Sequence, residues 1–404
     1  MKKQSLAFAG AFFFALGGNC LGFSLIFRLT DWFSFTAGQI GIFMALGSFA
    51  YFLGCNLYHR FGSLFEPVKI FPAAAVLACA ASIPLSFIRV IGVVYVAYWL
   101  IQIGAGCFWP PVMSWLTAGL DEKNISKTMA AFNRSWMSAC MVGPLIAGIL
   151  YNRNSTLNFI LIIFSYSTAL FLLFLLRFFL KKNDGRNESK TGGPVVKAPG
   201  VGADVSAGER RFSPASRTID VRLNTYRYRG WISGACSAMF VGILANIVPL
   251  HIRDGLGYTE QSAGLLLFIR CAAGLLGFTL LARFSAWHFN RKWFIIVQAG
   301  IMACTLTLML SGSALYLYFV VVVVYGLCNS ASYNNSMFYS SITGKNPKKN
   351  LALHEIFMSV GTAAGSAGGG FFYQHFGFTG ACMALLAVLG LGMFVFVFVG
   401  RKEA

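Results

Sequence analysis

Charge is what this sequence has least of. Of its 404 residues only 11% are Asp, Glu, Lys or Arg, against about 25% in a soluble domain. Acidic residues are scarcer still. Thirteen Asp and Glu stand against 32 Lys and Arg, for a net charge of +19. That shortage excludes an ordinary water-facing surface. There is no His-Glu-x-x-His and no Cys-x-x-Cys, which excludes the commonest zinc and dithiol sites; no metal or other cofactor is called for. The five His (59, 251, 288, 354, 375) do not cluster along the chain. The ten Cys lie in apolar runs without metal spacing, and read as small packing residues with free thiols. No acidic or basic tract marks a nucleic-acid partner.

What is abundant is apolar: 57% of the chain, with 16% aromatic. Apolar runs of about 20 residues, enough to cross a bilayer, fill most of it. Twelve can be drawn: 5–29, 37–58, 67–88, 91–118, 128–151, 157–180, 231–252, 261–283, 292–312, 315–341, 351–373 and 378–400. Hydrocarbon cannot satisfy an open backbone, so each is a helix or a barrel strand. Length without alternation chooses helices. The sequence therefore predicts an all-α polytopic membrane protein of twelve transmembrane helices, with the lipid bilayer as its surroundings. Met1-Lys2-Lys3 before an apolar run resembles a signal peptide. That run continues to about Leu29 and others follow, so it reads as a retained first helix.

Basic residues set the orientation. With the N-terminus in the cytosol, 25 Lys and Arg fall on the cytosolic side. Four, Arg28, Arg89, Arg153 and Arg253, fall on the other; Arg134, Arg177 and Arg270 lie within or at the edges of spans. Both termini are expected in the cytosol, in a plasma (inner) membrane protein.

One stretch occurs twice. Moving residues 104–153 forward by 222 positions, without a gap, places Gly104 on Gly326, Ser114 on Ser336, Lys123 on Lys345, Asn124 on Asn346 and Lys127 on Lys349. It also places Ala130 on Ala352, Gly143 on Gly365, Gly148 on Gly370 and Tyr151 on Tyr373. Each copy is an apolar run, a short basic loop and a second run of small residues. Two halves related in this way are a mark of duplicated transporters. The expected division is 1–180 and 231–404 as six-helix bundles, with 181–230 as a cytosolic linker. That linker is rich in Gly, Pro, Ser and charge, which cannot bury a core. Ile219, Leu223 and Tyr226 at its end stand at i, i+4 and i+7, compatible with a helix on the membrane surface or with a solvated tether.

Two local motifs carry a family resemblance. Leu57-Tyr58-His59-Arg60-Phe61-Gly62 resembles the G-x-L-a-D-R-x-G loop of the major facilitator superfamily, with His59 in place of the Asp and Cys55 in place of the first Gly. Gly143-Pro144-Leu145-Ile146-Ala147-Gly148 resembles the G-P-x-x-G-G motif of antiporters in that family. The resemblance implies two bundles around a central cavity lined by helices 1, 4, 7 and 10, and alternating access by rocking.

Polar residues inside spans are costly and face protein or water. Asn19, Gln102, Trp109, Asn246, Asn329 and Tyr333 fall on the helices that the resemblance assigns to the cavity. Arg270 is the deepest basic residue, and no carboxylate lies at its depth, so it is the candidate anchor for an anionic group. Interhelical bonding without solute contact is the alternative for each. His59, Arg60, Arg134 and Glu355 are candidates for an inner gate, Glu355 having taken over the charge of the absent loop Asp. Gly361, Gly365 and Gly369, with Gly143, form a small-residue stripe that serves either a sliding contact between halves or static packing. Pro110 and Pro144 are candidate hinges.

The leading functional reading is a secondary active or facilitative transporter of a small polar, anionic organic solute, working as a monomer. A coupling proton is left open, with His354 and Glu355 as its carriers. The alternatives are a proton-coupled drug or metabolite exporter, a membrane-embedded enzyme and a non-transporting receptor. The enzyme would need a His/Asp or metal-ligand constellation that the chain lacks. Protease added on the side of the termini should cut between Lys181 and Arg229 and leave two fragments that co-purify. Protection of that stretch, or cleavage only from the opposite side, would overturn the topology.

Overall fold

A computed structural model describes residues 2–118, 122–188, 214–281, 283, 287–342 and 347–398. Twelve helices account for nearly all of these. They are α1 (Lys2–Phe33), α2 (Ala37–Phe61), α3 (Pro67–Phe87), α4 (Ile91–Thr117), α5 (Glu122–Arg153) and α6 (Ser155–Glu188), then α7 (Pro214–Asn246), α8 (Glu260–Leu281), α9 (Arg291–Leu310) and α10 (Leu315–Ile342). The last helical stretch, Pro347–Phe398, breaks at Gly377, where φ is 68° and ψ −171°. Only glycine adopts that conformation without strain. It divides the stretch into α11 (347–376) and α12 (378–398). No strand occurs among the described residues.

Ten stretches are long and apolar enough to cross a membrane, and one of them, Leu353–Val397, has 45 residues. That is twice the length of a crossing, and Gly377 folds it into two. α5 falls outside the ten because Asn133, Arg134 and Ser135 interrupt its apolar run on one side and Asn152 and Arg153 on the other. The helix ends follow local chemistry. Thr36 caps α2 in a capping box with Gln39. Pro67 opens α3 at its first turn, where a missing N–H costs nothing. α7 runs on through Val248–Leu250 and a π-helical turn, His251–Gly255. Pro110, Pro111 and Pro144 lie inside continuous helices and do not end them.

Of the 181–230 stretch, the described parts are helical: α6 continues to Glu188 and α7 begins at Pro214. Ile219 to Tyr226 is therefore the start of α7, not a separate surface helix. The remainder, with the repeated loop lysines (Lys123, Lys127, Lys345, Lys349), lies outside the described side chains.

Within the first half α1 packs on α5 and α6, α4 on α2 and α3, and α3 on α6. In the second half α7 packs on α10 and α11, and α10 on α8 and α9. Two further pairs, α2 with α11 and α5 with α8, join the halves. The repeat is visible in the glycines. A Cβ on Gly148 would stand 2.5 Å from the carbonyl oxygen of Glu260 in α8, and one on Gly370 would stand 2.5 Å from that of Ala37 in α2. Both members of this repeated pair therefore sit on a seam between halves. Both members of the other pair face inward: Gly143 against Asn19 of α1, and Gly365 against Met239 of α7.

Of the two readings of the small-residue stripe, packing within one half is the one that the contacts fit. Gly361, Gly365 and Gly369 pack against Ala235, Met239 and Ile243 of α7, inside one half. The face of α11 that meets the other half is the adjacent one, carrying Ser366, Gly370 and Gln374 against Ala37, Gly38 and Gly41 of α2. A Cβ on Gly365 would collide with the Met239 carbonyl, whereas Gly368 has nothing within 4 Å of its Cβ position. Gly365→Val is expected to lower the thermal unfolding midpoint of the purified protein, at a cost of about 1–3 kcal/mol, and Gly368→Ala to leave it unchanged.

Candidate functional site

Both seams are tight at one end. Gly38 meets Gln374, whose Oε1 accepts from the Gly38 N–H at 3.1 Å; Gly264 meets the backbone of Pro144. These crossings lie towards the ends of α2 and α8 that begin at Ala37 and Glu260, the face away from the chain termini. Further from that face α2 and α11 part around a cavity of about 210 Å³, lined by Ser48, Tyr51, Gln102, Met358, Ser359 and Thr362.

An ion-pair cluster covers the closed face. Arg253 Nη1 stands 2.9 Å from Asp31 Oδ1 and 3.6 Å from Glu260, and its Nε stands 2.6 Å from Asp254. Tyr151 donates to the other Asp31 oxygen at 2.9 Å, and the guanidinium lies over Phe27. Asp31 ends α1 and Arg253 ends α7, so the pair spans the halves. Sequence reasoning left these residues in loops. The signal that could have found them was the alignment of Phe35-Thr36 with Tyr258-Thr259, just before α2 and α8, which sets Asp31 on Asp254 with Arg253 beside it.

Arg270 stands on the α5–α8 seam. Among the described residues its one hydrogen bond runs from Nη2 to Cys271 Sγ, at 3.4 Å, and its Nε is buried without a partner. No carboxylate among the described residues pairs with it. Cys140 of α5 and Tyr325 of α10 are its electrostatic neighbours. Asn19 donates to Cys140 Sγ at 3.2 Å. Ser237 donates to Asn329 Oδ1 at 2.8 Å, and Tyr325 donates to the Ser237 carbonyl at 2.6 Å. Asn19, Arg270 and Asn329 thus belong to one polar chain crossing from α1 to α7.

The other predicted lining residues lie elsewhere. Gln102 reaches the α2–α11 cavity and donates to Tyr98 at 2.9 Å. Trp109 sits among Phe14, Phe108, Phe132 and Trp136, a packing site in the first half. Asn246 donates to Ser366 at 2.7 Å, tying α7 to α11. Tyr333 lies against the ring of His354 and bonds Glu355 at 3.5 Å. Ser48, Tyr51, Tyr325 and Thr362 went unnoticed, because hydroxyls are ordinary in such helices and only packing reveals which face a cavity.

Of the gate candidates, His59, Arg60 and Arg134 are exposed. None of the three pairs with Glu355, whose neighbour within ion-pair range is His354 Nε2 at 3.8 Å. An inner gate built on Glu355 with Arg60 or Arg134 is therefore not formed in this conformation.

The sequence matches the family profile of the Major Facilitator Superfamily over residues 7–342 and 230–404. The chain belongs to that superfamily. No curated protein matches it in sequence. Among solved structures it is similar to a POT family transporter in complex with 5-aminolevulinic acid, at 13% identity over 99% of this chain and 96% of the other, with a TM-score of 0.74. It is also similar to a D-xylose-proton symporter, at 12% identity over 99% and 98% with a TM-score of 0.74. A bacterial homologue of the human lysosomal transporter Spinster, inward-facing and occupied, aligns at 11% identity over 98% and 97% with a TM-score of 0.71. At these identities the likeness is one of fold. The protein is an integral membrane member of a transporter family.

The Asp31–Arg253 pair gives a direct test of the closed face. With a cysteine placed at Gln374, labelling by a membrane-impermeant maleimide from that face should rise several-fold in Asp31→Asn. Unchanged labelling would mean that the glycine seams hold the face shut alone.

Proposed function

We propose that the chain moves a small polar, anionic organic solute across the membrane by alternating access, as a secondary active or facilitative transporter. The observation that carries this reading is Arg270. An Arg deep in a membrane protein costs several kcal/mol unless it is satisfied. Here it has one weak thiol contact, a buried Nε without a partner and no carboxylate partner among the described residues. A carboxylate or phosphate completes a guanidinium through two parallel hydrogen bonds. Its position on a seam supports the same reading, because both halves then share the solute through Asn19 and Cys140 on one side and Tyr325 and Asn329 on the other.

On the orientation given by the basic residues, the tight seams lie outward and the cavity opens to the cytosol. Residues 1–180 and 231–404 are the rocking bundles, with 181–230 as their tether. Closing the cytosolic side brings Arg60 and Arg134, with His59, towards Glu355 as the inner gate. Gln102 contributes to the wall from α4, and Asn246 and Trp109 hold the bundle that carries it. Since both halves of one chain furnish the site, the working unit is the monomer.

Reconstituted into liposomes and offered anionic, neutral and cationic solutes, the protein should favour the anions. Arg270→Lys keeps the charge but loses the planar fork, so affinity for the transported anion should fall tenfold or more, about 1.4 kcal/mol, with folding intact. Normal transport by Arg270→Lys, or a neutral solute, would sink the anion reading.

A further inference from the structure

The cavity between α2, α4 and α11 is too small for a whole solute. Its volume of about 210 Å³ lies below the roughly 300–1,000 Å³ of pockets that enclose a ligand. It fits one end of a molecule, and its wall specifies which kind. Ser48 donates its hydroxyl proton to the Met44 carbonyl at 3.3 Å, and Thr362 donates to the Met358 carbonyl at 3.0 Å. One amide proton of Gln102 goes to Tyr98. Those two hydroxyls are left with acceptor lone pairs only, Gln102 with its carbonyl oxygen and one N–H, and the Ser359 and Tyr51 hydroxyls can turn their lone pairs to a donor. Among the described residues no cationic side chain lines the space.

Glu355 extends the same character to the mouth of the cavity. It precedes Ser359 and Thr362 by four and seven positions on α11, hence lies on their face. Its side chain is 56% exposed, and no Lys or Arg pairs with it among the described residues. Tyr333 bonds it weakly at 3.5 Å; Tyr51 and Cys55 of α2 lie within its electrostatic reach. Behind it His354 is buried, with Nδ1 on Ser336 at 2.7 Å and Nε2 turned towards the carboxylate without a hydrogen bond.

An ammonium group brings three donors and no acceptor, and is attracted by a carboxylate and by tyrosine rings alike. We propose that this cavity, with Glu355 at its mouth, is a subsite for a primary ammonium group of the transported solute. The proposal rests on the transport reading and deepens it. Ser48 and Arg270 lie eleven and ten residues from Ala37 and Glu260, where their helices begin at one face, about 15 Å deep in each case. One solute at that depth meets the guanidinium at one seam and the acceptor wall at the other, which makes it an amino-carboxylate or amino-phosphate.

Cys55 reports on the mouth of this site, since it stands one helical turn from the cavity-lining Tyr51 on α2 and within electrostatic reach of Glu355. The full-length protein is treated with two methanethiosulfonates, one carrying an aminoethyl and one a sulfonatoethyl group, and modification of the Cys55 peptide is followed by mass spectrometry. Relative to a free thiol, the cationic reagent should be favoured tenfold or more, although a net charge of +19 favours the anionic one at an ordinary site. n-Butylammonium should slow the reaction and n-pentanol should not. Glu355→Gln should remove the preference; Thr362→Val, which deletes an acceptor while Glu355 stays, should weaken protection by n-butylammonium. A preference equal to that of the free thiol, or equal protection by pentanol, overturns the proposal. So does a preference that survives Glu355→Gln, including the case in which that variant loses only proton-driven flux, which would make Glu355 a proton carrier. These readouts do not involve Arg270, so the anion reading can fail while this one stands.

Discussion

Two helix crossings tolerate no side chain, and the working parts of the molecule are arranged around them. At α2–α11 and α5–α8 a backbone carbonyl occupies the place of a Cβ on Gly370 and Gly148. In lipid, where association rests on packing and not on water exclusion, such close approach is what joins helices. The crossings hold one face shut. Towards the other face α2 and α11 diverge, leaving the cavity and exposing Glu355. Arg270 lies on the α5–α8 seam, about two turns below Gly264 by helical rise.

Buried charge is handled in two ways. At the closed face Arg253 has three carboxylate neighbours and a phenyl ring. Arg28, buried in α1, is sandwiched between Trp32 and Phe159 and donates to the Ser86 carbonyl. Arg253 is satisfied by carboxylates, as a membrane interior demands; Arg28 keeps Nε and Nη1 without a hydrogen-bond partner and rests on its two rings. Arg270 differs from both in having neither carboxylate nor ring against it among the described residues, and that contrast is why the solute is sought there.

Much of the architecture was legible in the sequence. Hydrophobic length alone set eleven of the twelve helices, all but α5, because a bilayer imposes a minimum run and tolerates few interruptions. The repeat correctly paired Gly143 with Gly365 and Gly148 with Gly370 as equivalents. It did not say which pair faced the other half, since four-residue spacing along a helix defines a stripe without naming the neighbour. The site was read unevenly for the same reason. Depth can be counted along a helix, so Arg270 stood out. Azimuth cannot, so Trp109 and Asn246 were grouped with Asn19 although they face other neighbours, and Thr362 was missed.

The Asp31–Arg253 pair bears on the history of the chain. The seam contacts Gly148–Glu260 and Gly370–Ala37 are copies of one another and place Ala37 on Glu260. Asp31 then falls on Asp254, so Arg253 draws on both copies of one acid. The cation has no copy of its own, since Thr30 stands at the corresponding place. The bond that now bars this face is therefore a departure from the repeat, made by one half alone.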